Sequence, residues 1–128
     1  MDKPRVLIAE DGRAQRAEVV QFLKQMAFSN VFEAATAHEA IKIAMQSRPE
    51  VVILDGLLPG MHGFEVARFL RNADPNYQPR IIFVTAIYKN IRYQNEAKLH
   101  YGIDAYVIKP VTEDSLRFAL AECVAAAA

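Results

Sequence analysis

The chain has 128 residues, one cysteine, 52% apolar residues, and 15 lysines and arginines against 15 aspartates and glutamates. That length suits a single domain able to bury roughly two-thirds of the surface its unfolded form exposes, and the even charge balance sets up no field to draw it onto nucleic acid or a membrane surface. A lone Cys123 excludes an internal disulfide, no apolar stretch reaches the roughly 18 residues of a membrane span, and Met1-Asp2-Lys3-Pro4 opens no signal peptide, so a reducing cytoplasmic setting is expected.

The first apolar run, Arg5 to Ala9, stops at Glu10 and Asp11. A helical pattern follows from Ala14 to Met26, with Val20, Leu23 and Ala27 on one stripe and Val19 and Met26 beside it. Val31 to Ala34 is a weaker run that carries Glu33 and reads as an edge strand. Thr36, followed three residues later by Glu39, has the spacing of a capping box and marks the start of a helix over Ala37 to Gln46. Val51 to Leu54 then runs into Asp55 and a loop holding Gly56, Pro59, Gly60 and Gly63. A third helix is predicted from about Phe64 to Arg71, stopped by Asn72 and Pro75, with His62 as the polar residue at its start. Ile81 to Val84 leads into Thr85, a fourth helix is predicted from about Lys89 to Tyr101 with Gly102 as its terminator, and Tyr106 to Ile108 leads into Lys109. The last helix begins after Thr112, with Glu113 and Asp114 placed favourably against the positive end of its dipole. Cys123, among apolar residues late in that helix, reads as a structural thiol.

The runs near 5–9, 51–54, 81–84 and 105–108 lack polar alternation, which is how strands covered on both faces read, so all four are expected as interior parallel strands. Five strands alternating with five helices predict an α/β fold, a doubly wound (βα)5 sandwich of three layers around a five-stranded parallel sheet, with no repeat or second domain in 1–128. In such a sheet the carboxyl ends of the strands open onto one crevice, where α/β domains bind ligands. Two acids, a further acid, a hydroxyl and an amine therefore converge: Glu10 and Asp11, Asp55, Thr85, and Lys109. Asp55, at a rigid strand end yet open to solvent, suits a nucleophile that attacks a phosphoryl donor and becomes an acyl phosphate. Glu10 and Asp11, with Asp55 and one loop carbonyl, would hold Mg²⁺, Lys109 would pair with a phosphate oxygen, and Thr85 would donate to another.

These motifs, Ile8-Ala9-Glu10-Asp11, Asp55 to Gly63, Val84-Thr85-Ala86 and Tyr106-Val107-Ile108-Lys109-Pro110, resemble those of the receiver domain of two-component response regulators over essentially the whole chain. The resemblance implies a flavodoxin-like sheet of strand order 2-1-3-4-5 and Asp55 as phosphoacceptor from a sensor histidine kinase or phosphotransfer protein. It also implies Glu10, Asp11, Asp55 and the backbone carbonyl of Leu57 at Mg²⁺, Thr85 and Tyr106 as a switch pair, and a cis bond between Lys109 and Pro110. The output implied is a changed face of the fourth helix, fifth strand and fifth helix, read by a downstream protein or output domain, with a phosphorylation-dependent homodimer as one form. Apart from its own phosphate such a chain turns nothing over, and neither membrane nor direct nucleic-acid binding is expected of it.

The chain departs from the family pattern in places. Glu10 stands where aspartate is commoner, lengthening the carboxylate by one methylene, and His62 takes a usual Asp or Asn position before Gly63. Apolar Leu57 and Ile87 flank the expected path of an attacking water, which predicts slow hydrolysis of the acyl phosphate. The stretch from Thr85 to Lys109 is two residues longer than the pattern and is basic and aromatic through Tyr88, Lys89, Arg92, Tyr93, Lys98 and Tyr101. A flavin carrier would need a hydroxyl- and glycine-rich turn where this chain has Glu10-Asp11-Gly12-Arg13. A phosphatase of the haloacid dehalogenase type commonly has a second acid where this chain has Leu57. A receiver-fold interaction module that never takes phosphate is the remaining alternative.

Overall fold

The computed structural model describes residues 3–86, 95 and 101–127, with side chains as far as Cys123. In chain order the elements are β1 (Val6–Ala9), α1 (Arg13–Gln25), β2 (Val31–Ala34), α2 (Ala37–Ser47), β3 (Val51–Asp55), β4 (Leu57–Leu58), β5 (Met61–His62), α3 (Gly63–Ala73), β6 (Arg80–Thr85), β7 (Ala105–Ile108) and α4 (Glu113–Ala127). Five strands form a parallel sheet in the order β2-β1-β3-β6-β7. With the small β4–β5 pair set aside, that is the order 2-1-3-4-5. The fourth predicted helix, and with it Ile87, Tyr88, Lys89, Arg92, Tyr93 and Lys98, lies outside the described residues except at Asn95 and Tyr101.

Alternate side chains of each strand point to opposite faces, and both faces are covered. Val6 and Ile8, Val51 and Ile53, Ile82 and Val84 meet Val20 and Leu23 of α1 and Leu116 and Leu120 of α4. On the other side Leu7, Val52, Leu54, Ile81 and Phe83 meet Ala40 and Ala44 of α2 and Val66 and Leu70 of α3. This double coverage is why β1, β3 and β6 show no polar alternation in the sequence.

Edge position explains the two outer strands. β2 exposes Glu33 as expected. The run at Ala105–Ile108, read as interior, is instead the opposite outer strand of the described sheet, with Ala105 and Val107 buried but Tyr106 and Ile108 only partly so. Its apolar character reflects packing of both faces, not a neighbour on each side.

Helix starts follow local chemistry. The Thr36 hydroxyl accepts from the Glu39 N–H at 3.1 Å, while the Glu39 carboxylate takes the N–H of Ala35 at 2.9 Å, one residue earlier than the usual box. Thr112 and Ser115 cap α4 reciprocally, each hydroxyl accepting the other's N–H at 3.0 Å. His62 caps α3 by accepting the Phe64 N–H at Nδ1, 3.1 Å away.

Tyr77 closes the bottom of the sheet by donating its buried hydroxyl to the Pro49 carbonyl at 2.8 Å. Burial pushes its phenol up to about 12 from the usual 10.0. Folding thus favours the protonated form: this contribution is complete below pH 10.0 and is lost as pH rises through about 12. Tyr77→Phe is expected to remove the highest-pH step from the tyrosinate absorbance titration and to lower stability by about 1 kcal/mol near neutrality. An unchanged titration would mean that another tyrosine carries the step.

Candidate functional site

The register sets Asp55 opposite Val84 and Thr85 opposite Ile108, so the carboxyl ends of β1, β3, β6 and β7 come level along one edge. Glu10 follows β1 there, and its N–H donates to the Ala34 carbonyl at 3.0 Å. Lys109 follows β7, its own N–H donating to the Thr85 carbonyl at 2.9 Å. The Lys109 ammonium reaches between the two acids, 2.7 Å from Asp55 Oδ2 and 3.1 Å from Glu10 Oε1. Backbone donors hold the far oxygens: the Leu57 N–H donates to Asp55 Oδ1 at 2.9 Å, and the Gly12 N–H to Glu10 Oε2 at 3.2 Å. Glu10, Asp55 and Thr85 are the buried polar residues among those described, whereas Asp11 is exposed; Asp55, expected open to solvent, is instead 4% exposed, held inward by Lys109 and the Leu57 N–H.

Electrostatics follow from that burial. Desolvation, and then hydrogen bonding with Asp55, pushes the Glu10 carboxyl up to about 7, against the pull of the Gly12 N–H and Lys109. Burial works to lower the Lys109 pKa, but hydrogen bonds to Asp55 and Glu10 outweigh it and hold the ammonium above its usual value. One carboxylate oxygen from each of Glu10, Asp11 and Asp55 lies within 4.8 Å of the others. An all-oxygen donor set of this kind fits a hard divalent cation such as Mg²⁺. Beside it opens a cavity of about 160 Å³, with Glu10, Asp55 and Lys109 at its polar end and Val19, Val84 and Val111 along its apolar wall.

The loop after Asp55 is fixed by close backbone approach. A Cβ on Gly63 would stand 2.8 Å from the Asp55 carbonyl oxygen and 2.8 Å from Gly56 Cα, and the Gly63 N–H donates to the Gly56 carbonyl at 3.0 Å. Gly63→Ala is therefore expected to displace the end of β3 and to cost about 1–3 kcal/mol, as overpacking does. Urea unfolding measures this, and a loss below about 0.5 kcal/mol would show that α3 slides away without strain.

Thr85 and Tyr106 share a sheet face. Phe83 lies opposite Tyr106 in the register, their rings 5.4 Å apart, and Thr85 is two residues beyond Phe83 on the same strand. The Lys109–Pro110 bond is cis, as the resemblance implies. Leu57 enters the site through its N–H, a contact the sequence reading did not foresee, and its side chain is 55% exposed. An acid accepting the N–H two residues on is an Asx turn, so Asp55-Gly56-Leu57 carried a usable signal. Arg16 was missed altogether: its Nη1 donates to the Glu10 carbonyl at 2.9 Å.

Fold and site together define a doubly wound α/β domain with a carboxylate-rich crevice at the carboxyl edge of its sheet. The family model for the response regulator receiver domain matches residues 6–121, and the chain belongs to that family. Among curated relatives, it is 36% identical over 108 residues to the transcriptional regulatory protein AfsQ1 of Streptomyces coelicolor, covering 84% of this chain and 45% of that one. To a cyclic di-GMP phosphodiesterase of Thermotoga maritima it is 31% identical, covering 88% of this chain and 28% of the other. The chain thus spans less than half the length of either. The signal receiver domain of a putative Luxo repressor protein from Vibrio parahaemolyticus superposes with a TM-score of 0.84 at 26% identity, over 98% of this chain and 92% of that one. A DNA-binding response regulator of the LuxR family from Staphylococcus aureus gives 0.81 at 29% identity, over 94% and 98%. Among the described residues no helix is long and apolar enough to cross a membrane.

Proposed function

We propose that this receiver domain, taken as one unit over 1–128, accepts a phosphoryl group on Asp55 from a sensor histidine kinase or phosphotransfer protein and passes the signal to a downstream protein or output domain. The observation that carries the reading is Asp55 itself, a nearly buried carboxylate at the edge of a cavity, with an ammonium at 2.7 Å and two further carboxylates in reach. An Asp55 oxygen attacks the donor phosphorus, the bond from phosphorus to the donor's leaving atom breaks with its electron pair, and an acyl phosphate remains. Glu10, Asp11, Asp55 and the Leu57 carbonyl would hold Mg²⁺, which when bound would supply positive charge at the phosphoryl oxygens. Lys109 neutralises another of them, and Thr85 donates its hydroxyl to a third.

The dianionic product then favours one of two packings of the Thr85 and Tyr106 side chains. The apolar side chain of Leu57, 55% exposed two residues past Asp55, slows the water that would end the signal. Supporting this over a phosphate-independent module is the cost of burying two acids, Glu10 and Asp55, on one lysine with a third, Asp11, within reach of both, which a purely structural role does not require.

The test is the intact mass of the protein after incubation with Mg²⁺ and acetyl phosphate, beside Asp55→Asn and a metal-free control. One phosphoryl adduct, absent from both controls, is expected. No adduct on folded protein, with the same donor active on another receiver, would overturn the reading.

A further inference from the structure

We infer that Arg16 is a positioning residue for the metal acids, acting through the main chain of Glu10 and not through its own charge. Arg16 lies one turn into α1, and its guanidinium is divided between two targets. Nη1 donates to the Glu10 carbonyl at 2.9 Å, and Nε pairs with Glu33 Oε1 at 3.1 Å on the outer strand β2. Its side chain is only 19% exposed, against 50% for Glu33.

The segment it grips has few other ties. Gly12 caps α1 without a side-chain bond, so the turn from β1 into α1 depends on main-chain contacts. Those are the Glu10 N–H to Ala34 and the Arg16 N–H to the Gly12 carbonyl at 2.8 Å, while the Glu10 side chain is held separately by the Gly12 N–H and Lys109. The planar fork of Arg16 fixes the Glu10 peptide through its carbonyl and is anchored to the sheet edge through Glu33. With that peptide fixed, Glu10 and Asp11 both keep a carboxylate oxygen within reach of Asp55. Arginine suits the task because its donors are spread in a rigid plane, whereas a lysine satisfies the carbonyl or the carboxylate but not both in this geometry.

The sign of the effect separates positioning from electrostatics. A cation near an acidic site opposes a second cation, so if only charge mattered, removing Arg16 would tighten Mg²⁺ binding. Positioning predicts the reverse. The inference rests on the metal reading proposed above, and the test keeps the two apart. Mg²⁺ alone is titrated into the wild-type chain and into Arg16→Gln, Arg16→Lys and Glu33→Gln, followed by amide NMR shifts. Exchange of the Gly12 amide is measured in the metal-free proteins.

Arg16→Gln is expected to weaken Mg²⁺ binding about tenfold, the lower end of what loss of an outer support costs a metal site. Arg16→Lys should weaken it by a smaller factor despite keeping the charge, Glu33→Gln by a smaller factor still, and Gly12 exchange should quicken in the same order. Unchanged or tighter binding in Arg16→Gln, with wild-type uptake intact, would overturn the inference. So would Arg16→Lys matching the wild type in both readouts. A wild-type chain that takes up no Mg²⁺ would overturn the metal reading, and Gly12 exchange would then decide the positioning claim by itself.

Discussion

Exchange of Lys109 for methionine is expected to slow phosphoryl transfer to Asp55 by about a hundredfold or more, with the fold retained. Methionine keeps most of the apolar stem, so the packing of the β7–α4 turn survives. What disappears is the ammonium lying 2.7 Å from Asp55 and 3.1 Å from Glu10. The attacking carboxylate and the donor are both anionic, and a fixed cation at their meeting point needs no rearrangement when charge moves. Loss of one such preorganised donor costs roughly a hundred- to a thousandfold in rate. The measurement is the initial rate of adduct formation at saturating Mg²⁺, with circular dichroism as the check on folding. A rate within twofold of wild type would mean that another group neutralises the phosphoryl oxygens. Arg16→Gln differs in kind: its defect should be corrected by raising Mg²⁺, whereas that of Lys109→Met should not.

The second large effect is structural. Phe83 is fully buried in the centre of β6, its ring stacked on Phe64 at 4.5 Å and tilted against Tyr106 at 5.4 Å. Phe64 continues the stack to Tyr101 at 4.8 Å. Glycines at 56 and 63 let the backbone of the Asp55 loop press onto this ring, with a Cβ at either position standing 2.9 Å from it. Phe83→Ala should therefore open a cavity under the site and lower stability by about 3–5 kcal/mol. For a domain whose total stability is about 5–15 kcal/mol, that is a large share. Urea unfolding of Phe83→Ala and Phe83→Leu would test it. A loss under about 1.5 kcal/mol for the alanine variant would mean that the stack collapses to fill the gap.

Much of this arrangement was legible before any coordinates. Apolar runs ending on Glu10, Asp55, Thr85 and Lys109 mark strands whose ends must lie together once the sheet is parallel, and the structure brings these residues to one edge. Capping signals worked because they are local: Thr36 and His62 act within three residues of themselves.

The failures share a cause as well. β4 and β5 are two residues each around Pro59-Gly60, too short for any periodicity to register. The Pro-Gly pair, with Gly60 at a φ of 96°, was the available sign of the tight turn between them. Whether a parallel strand is central or outermost depends on its neighbours, so Ala105–Ile108 read as interior from its composition alone. The Gly12 N–H, the Leu57 N–H and the Glu10 carbonyl are groups every residue carries, and no side-chain pattern announces which of them a site will use. Arg16 was invisible for that reason, since half of what it holds is main chain.

Cys123, the chain's only cysteine, is 2% exposed, and burial pushes its thiol up to about 12. Thiolate, not thiol, reacts with alkylating probes, so the folded protein shields this atom both by access and by protonation. Its alkylation rate consequently clocks how often the α4 side of the core opens, without any engineered reporter. The same shielding leaves the native sulfur silent toward a dye aimed at a cysteine introduced on the surface, so motion at the Asp55 crevice can be followed by fluorescence in an otherwise unaltered sequence.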